Sequence, residues 1–132
     1  MMRGELLVAV VDGQGGGIGK QIVSALKKRY PEQYITAVGT NSLHVRALGT
    51  NSLATAAMLR AGADDGATGE NAVAFNARRA DILLGPIGVL TPNGLLGEVS
   101  PRMAEAIGGS EAVKILLPSQ RCSIRLAVGG SQ

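Results

Sequence analysis

The sequence predicts an α/β fold in which a mainly parallel sheet carries helices on both faces. Three observations predict it. Short apolar runs alternate with stretches of helical periodicity along the chain. Apolar residues make up 45% of the sequence, yet the aromatics are Tyr30, Tyr34 and Phe75 alone. A core of Val, Ile, Leu and Ala suits a sheet covered on both sides. The 19 glycines follow no triplet period, which points to tight turns and close backbone approaches. At 132 residues the chain is sized for a single domain.

Taken in order, residues 5–11 read as a buried first strand. Residues 17–29 read as a helix, with Ile18, Ile22, Val23 and Leu26 on one stripe and Pro31 just past its end. Residues 34–38 form a second strand candidate within a tandem repeat. YITAVGTNSL (34–43) and HVRALGTNSL (44–53) match at six of ten positions without a gap. Each copy spells a strand followed by a Gly-Thr-Asn-Ser turn, so either 35–38 or 45–48 can be the strand beside the first. The second copy runs into a helix over 51–61, closed by Gly62. Residues 64–68 read as a polar turn, with Thr68 capping a helix over 69–79 that carries Glu70 in its first turn. Residues 81–84 read as a strand, and 85–97 as an unusually apolar loop. Ser100-Pro101 starts a helix to about residue 107. Residues 112–117 and 123–128 read as the last strands, and 129–132 as a tail.

The stretch VAVVDGQGGGIGK (8–20) organises the chain, because a β-branched run there ends in a glycine cluster from which a helix begins. Gly13, Gln14, Gly15, Gly16, Gly17, Ile18 and Gly19 have the G-x-x-x-G-x-G spacing of short-chain dehydrogenases. Glycine permits the sharp turn and removes side chains where a diphosphate approaches, and bare amides at the helix N-terminus then meet the anion. This is the expected phosphate cradle of a Rossmann-like domain. Asp12 beside it repels a phosphate unless backbone amides engage its oxygens. A P-loop is not supported: position 14 is Gln where a glycine is required, and Gln21 replaces the Mg²⁺-binding hydroxyl after Lys20.

About 20 residues on, a dinucleotide fold places an acid for the ribose. Here that window holds Thr40 and Asn41, or Thr50 and Asn51 in the duplicate, with no Asp or Glu between Glu32 and Asp64. The missing acid weakens a standard NAD site; these side chains can still bond a ribose, and Arg46 can meet a 2′-phosphate, which keeps NADP open beside NAD as the expected cofactor. Gly85, Pro86 and Ile87 follow a strand end and are expected to wall the far side of the crevice. Glu98, Glu70 and Asp12 are candidate acid or base groups. Asn93 is a further polar group on the apolar loop. Ile87, Val89, Leu90, Leu95 and Leu96 suggest a lid or a subunit contact, hence a homo-oligomer. Cys122 is a candidate thiol near the crevice, and His44 reads as structural.

The net charge of +3 is mild and the basic residues are dispersed, except for Lys27-Lys28-Arg29 and Arg78-Arg79 at helix ends. With no interleaved aromatics, nucleic acid is not the expected partner. One cysteine and one histidine make neither a disulfide nor a zinc cage. The apolar run 6–11 is too short for a signal segment and no membrane span is evident, so a cytoplasmic protein is expected.

VVDGQGGGIGK, ALGTNSLATAAMLRAGA, GATGENA, ADILLGPIGVL and LGEVSPRMAEAI together resemble the bacterial "domain of unknown function thirty-eight forty-two" family over nearly the whole chain. The resemblance implies a Rossmann-like fold and no particular reaction; the 34–43 copy looks additional to that family's single GTNSL. The likeness to short-chain dehydrogenases ends at the glycine loop, since no tyrosine follows Tyr34 to supply their Tyr-x-x-x-Lys pair. The expectation is a module that binds or senses a small phosphorylated, nucleotide-type ligand. The alternatives are a small-metabolite enzyme using these carboxylates, or a non-catalytic oligomeric subunit.

Overall fold

The computed structural model describes residues 5–29, 43–119 and 122–128. Five parallel strands lie in the order β3-β2-β1-β4-β5. They are β1 (Leu6–Asp12), β2 (Leu43–Gly49), β3 (Asp65–Thr68), β4 (Ile82–Pro86) and β5 (Val113–Leu117). The helices are α1 (Gly17–Arg29), α2 (Ser52–Arg60), α3 (Glu70–Ala77) and α4 (Pro101–Gly108), with a 3₁₀ turn at Ile87–Leu90. This is the Rossmann-like α/β architecture that the sequence predicts.

The continuous apolar run of β1 follows from its central position. Val8 and Val10 pack with Val23, Val45, Ala47 and Met58 on the side of α1 and α2. Ala9 and Val11 pack with Val73, Ala77, Leu83, Met103 and Ile107 on the side of α3 and α4. Both faces are covered, so alternation of polar and apolar residues disappears. Gly19 lets α1 come close, because a Cβ there would meet Met58 Sδ at 2.5 Å and Asp12 Cβ at 2.9 Å. Gly85 does the same for β4, where a Cβ would run into the Val11 carbonyl oxygen.

Helix termini are built as their residues suggest. Asn51 Oδ1 accepts the Ala54 amide at 2.9 Å, and Ser100 Oγ accepts the Met103 amide at 3.2 Å with Pro101 at the first helical position.

Several expectations are corrected. The strand beside β1 is β2, from the second copy of the repeat; residues 34–42, including Thr40 and Asn41, lie outside the described residues. Residues 65–68 form a strand and not a turn. Their small side chains suit an edge that is paired on one side only, and Asp65 is held by Arg46 in the neighbouring strand. Thr68 does not cap α3: its hydroxyl lies 2.7 Å from Thr55 Oγ1, and Gly69, at φ +104°, makes the turn. Residues 123–128 form no strand, and Leu126 and Val128 are left exposed. The apolar content of the 85–97 loop belongs mostly to the protein's own core. Val89 is fully buried, Leu90 and Leu95 pack against the same cluster, and Leu96 alone stands out at 94% exposed.

The strand order sets the position of the site. From β1 the chain passes to β2 on one side, and only after β3 does it cross to β4 on the other. Loops leaving the carboxyl ends of β1 and β4 therefore diverge and open a crevice. Among the described residues no helix is long and apolar enough to cross a membrane.

Candidate functional site

The crevice at the ends of β1 and β4 encloses about 1030 Å³, at the upper end of the range for small-molecule sites. One wall is the glycine loop, with Asp12, Gly13, Gln14, Gly15, Gly17 and Ile18. The opposite wall is Pro86, Gly88 and residues 91–96, and the segment after β5 closes it with Ser119, Cys122, Ser123 and Ile124. Asp12 is the charged residue among these lining groups, which include no lysine or arginine.

Asp12 ends β1 and is buried. Its Oδ1 accepts the Gly13 amide at 2.8 Å and its Oδ2 the Gly19 amide at 2.6 Å, so the carboxylate takes part of the first-turn N–H array of α1 for itself. Burial pushes its pKa up, the Gly19 and Gly13 amides pull against that, and the charge of Glu98 adds to the rise.

Glu98 reaches the loop from the far wall. Its Oε1 accepts the Gln14 amide at 2.8 Å, the Thr50 hydroxyl at 2.6 Å and the Asn51 side-chain amide at 2.9 Å. The Gln14 amide and the Thr50 hydroxyl hold its pKa below the ordinary glutamate range. Gly13 is glycine because a Cβ there would meet Thr50 Oγ1 at 2.5 Å and Glu98 Oε1 at 2.7 Å.

Of the seven loop positions, the amides of Gly13, Gln14, Gly16 and Gly19 are paired internally, Gly16 with the Gly13 carbonyl at 2.9 Å. The Ile18 amide leans on Asp12. Gly15 and Gly17 differ from these. Both line the crevice, and neither amide has an acceptor among the described residues. A Cβ on either would point into open space, and neither has a left-handed φ. The fold therefore places no demand for glycine at these two positions. Gly16, by contrast, has φ +74° and lies where a Cβ would meet the backbone of Ala54 at 2.9 Å.

The remaining expected residues divide. Pro86 lines the crevice, whereas Gly85 is buried behind it and Ile87 is not among the lining residues. Thr50 and Asn51 face Glu98 behind the glycine loop, and Asn51 Nδ2 also donates to the Gln14 carbonyl at 3.0 Å. Arg46 lies on β2, with its guanidinium spent on Asp65 at 2.8 and 2.9 Å and on Asn76 at 3.1 Å. Glu70 is exposed at the start of α3, 3.5 Å from Arg102 and away from the crevice. Asn93 lines it with φ +65°, beside Leu95 and Leu96 at +56° and +58°, a run of side chains in a conformation they rarely adopt. Cys122 lines it as a free thiol whose Sγ is 3.3 Å from the Ser119 carbonyl. Ser119, Ser123 and Ile124 were not expected. Their signal was Pro118, which ends β5 and turns the chain toward the carboxyl edge of the sheet, where ligand loops gather.

No curated protein and no solved structure matches the chain. One family signature does, described as Domain of unknown function (DUF3842), and it matches residues 7–132. That span takes in every described residue of the crevice, and with it this chain belongs to the DUF3842 family.

Proposed function

We propose that the protein binds a small nucleotide-type ligand in the crevice at the ends of β1 and β4. One phosphate would rest on the Gly15 and Gly17 amides. The observation that carries this reading is the pair itself: two crevice-lining glycines that neither backbone strain nor packing requires, whose amides have no acceptor among the described residues. Placement at the start of a 13-residue helix favours an anion there.

The charges narrow the ligand. Asp12 lines the site, and no lysine or arginine does among the described lining residues, so a single phosphate or one edge of a pyrophosphate suits those residues better than a triphosphate. With Arg46 engaged elsewhere, NAD or a flavin mononucleotide fits better than NADP. Native mass spectrometry of the freshly purified protein, followed by calorimetry with NAD(H), NADP(H), ATP, FMN and coenzyme A, tests the reading. A ligand that binds the wild type and is lost in Gly17→Asp supports it; no bound ligand and no heat from any of the five overturns it.

A second reading, an acid–base enzyme acting on a small metabolite, is favoured by the raised pKa of Asp12 in the crevice wall. Conversion of a bound ligand by the wild type, absent in Asp12→Asn, separates it from binding alone.

A further inference from the structure

Among the described residues the sheet has two outer edges, and they are built differently. The β3 edge is four residues long and carries a charge, with Asp65 paired to Arg46 and 3.0 Å from His44 Nε2. The β5 edge is Val-Lys-Ile-Leu-Leu, with Val113, Ile115 and Leu117 exposed to 62%, 50% and 42%. Register places Val113 opposite Ile82 and Ile115 opposite Leu84, on the sheet face that carries α1 and α2. There α1 packs over β1 and β4, and among the described helices none packs on β5 to a like extent. The one charged residue of the strand, Lys114, turns back so that its Nζ donates to the carbonyls of Ser110 and Ala112. Proteins blunt an open edge with outward charges, proline, a bulge or a very short strand; β3 is very short and carries Asp65, and β5 has none of these devices.

We propose that β5 pairs antiparallel with β5 of a second copy of this chain, about a two-fold axis through Ile115. Two five-stranded sheets then become one of ten strands. The strand is complementary to itself in this register, as an isologous contact demands. Val113 meets Leu117 of the second copy, and Ile115 meets its own equivalent, so the bare stripe becomes a ladder of apolar cross-strand pairs. On the other face Lys114 meets Leu116, which keeps the two lysines apart. An acidic partner is not favoured here, because Lys114, the one cation of the strand, is bonded to the carbonyls of Ser110 and Ala112. The contact lies on β5 and not in the crevice, so it stands or falls independently of ligand binding.

Directly opposed residues of an antiparallel pair have Cβ atoms about 5 Å apart, within reach of a disulfide after small adjustment. In a Cys122→Ser background, Ile115→Cys is expected to give a covalent dimer under mild oxidation. Val113→Cys alone is expected to stay monomeric on a non-reducing gel, because its two copies stand about 13 Å apart along the strand. Mixing Val113→Cys with Leu117→Cys restores the crosslink. Light scattering of the wild type should give the dimer mass, and Ile115→Lys the monomer mass with an unchanged circular dichroism spectrum. A wild type that is monomeric at all concentrations up to 100-fold above its purification concentration overturns the proposal, as it would if another segment of the same chain covered the edge. Equal crosslinking at 113 and 115 overturns the register. Should Ile115→Lys fail to fold, the cysteine variants still decide the matter.

Discussion

Glu98 Oε1 lies 2.8 Å from the amide nitrogen of Gln14, so a carboxylate from the far wall of the crevice docks on the glycine loop. The same oxygen holds Thr50 and Asn51, and three loops that are distant in sequence meet on one atom. Hydrogen bonds to a charged acceptor contribute more than neutral ones, and removing that acceptor strands the donors. Glu98→Ala should cost on the order of 2–3 kcal/mol in urea unfolding. Amide exchange at Gln14 should accelerate in parallel. An unchanged urea midpoint would show that the contact contributes nothing.

Glycines of the loop and of the neighbouring strand ends should separate into two groups on substitution. Gly15→Ala and Gly17→Ala meet open space and should change stability by no more than about 0.5 kcal/mol. Gly85→Ala drives a methyl into the Val11 carbonyl and Gly49→Ala drives one into Thr55, so each should cost about 1–3 kcal/mol or more. Urea midpoints of the four variants check this ranking. In the first pair, ligand binding should suffer while the fold does not.

Acid should weaken the fold. Asp65 is held below its ordinary range first by its hydrogen bonds to Arg46. Asp64 is held there because the Val45 amide and Lys27 outweigh the upward push of burial. Glu98 shifts the same way. A carboxylate with a depressed folded pKa contributes stability that is present above its unfolded pKa, about 4, and is lost as pH falls through the folded value. Unfolding free energy should therefore decline below about pH 4. Asp65→Asn should flatten that decline, which urea titrations at pH 3 to 7 would show.

Asp12 runs the other way. Its folded pKa is raised, chiefly by burial, so its contribution is largest below the unfolded pKa and is lost as pH rises through the folded one. Carbon-13 NMR of the Asp12 carboxyl should report a midpoint above that of an aspartate in a peptide. Asp12→Ala strands the buried Gly13 and Gly19 amides and should destabilise by roughly 1–3 kcal/mol for each donor. A normal midpoint with a neutral Asp12→Ala would contradict this account of the loop.

Met58 is fully buried between α1 and the sheet, where it faces Gly19. Met58→Ala should cost about 2–5 kcal/mol through the cavity it leaves, read from the urea midpoint.

The sequence by itself determined the alternation of strands and helices, the bounds of α1, the cap at Ser100, and the glycine bend at the carboxyl end of β1. These are written in short-range chemistry: burial periodicity, a cap hydroxyl, and turn residues. Only the tertiary structure decided which copy of the repeat pairs with β1. Both copies carry the same local preference, and the choice rests on contacts with a strand more than 30 residues away. The tertiary structure also decided which loop amides remain bare, since Glu98 reaches Gln14 across 84 residues of sequence. Glycine reads alike in sequence whether it accommodates a neighbouring helix, as Gly16 and Gly19 do, or faces open space, as Gly15 and Gly17 do. The difference lies in what stands opposite the missing Cβ, and the folded chain alone supplies that.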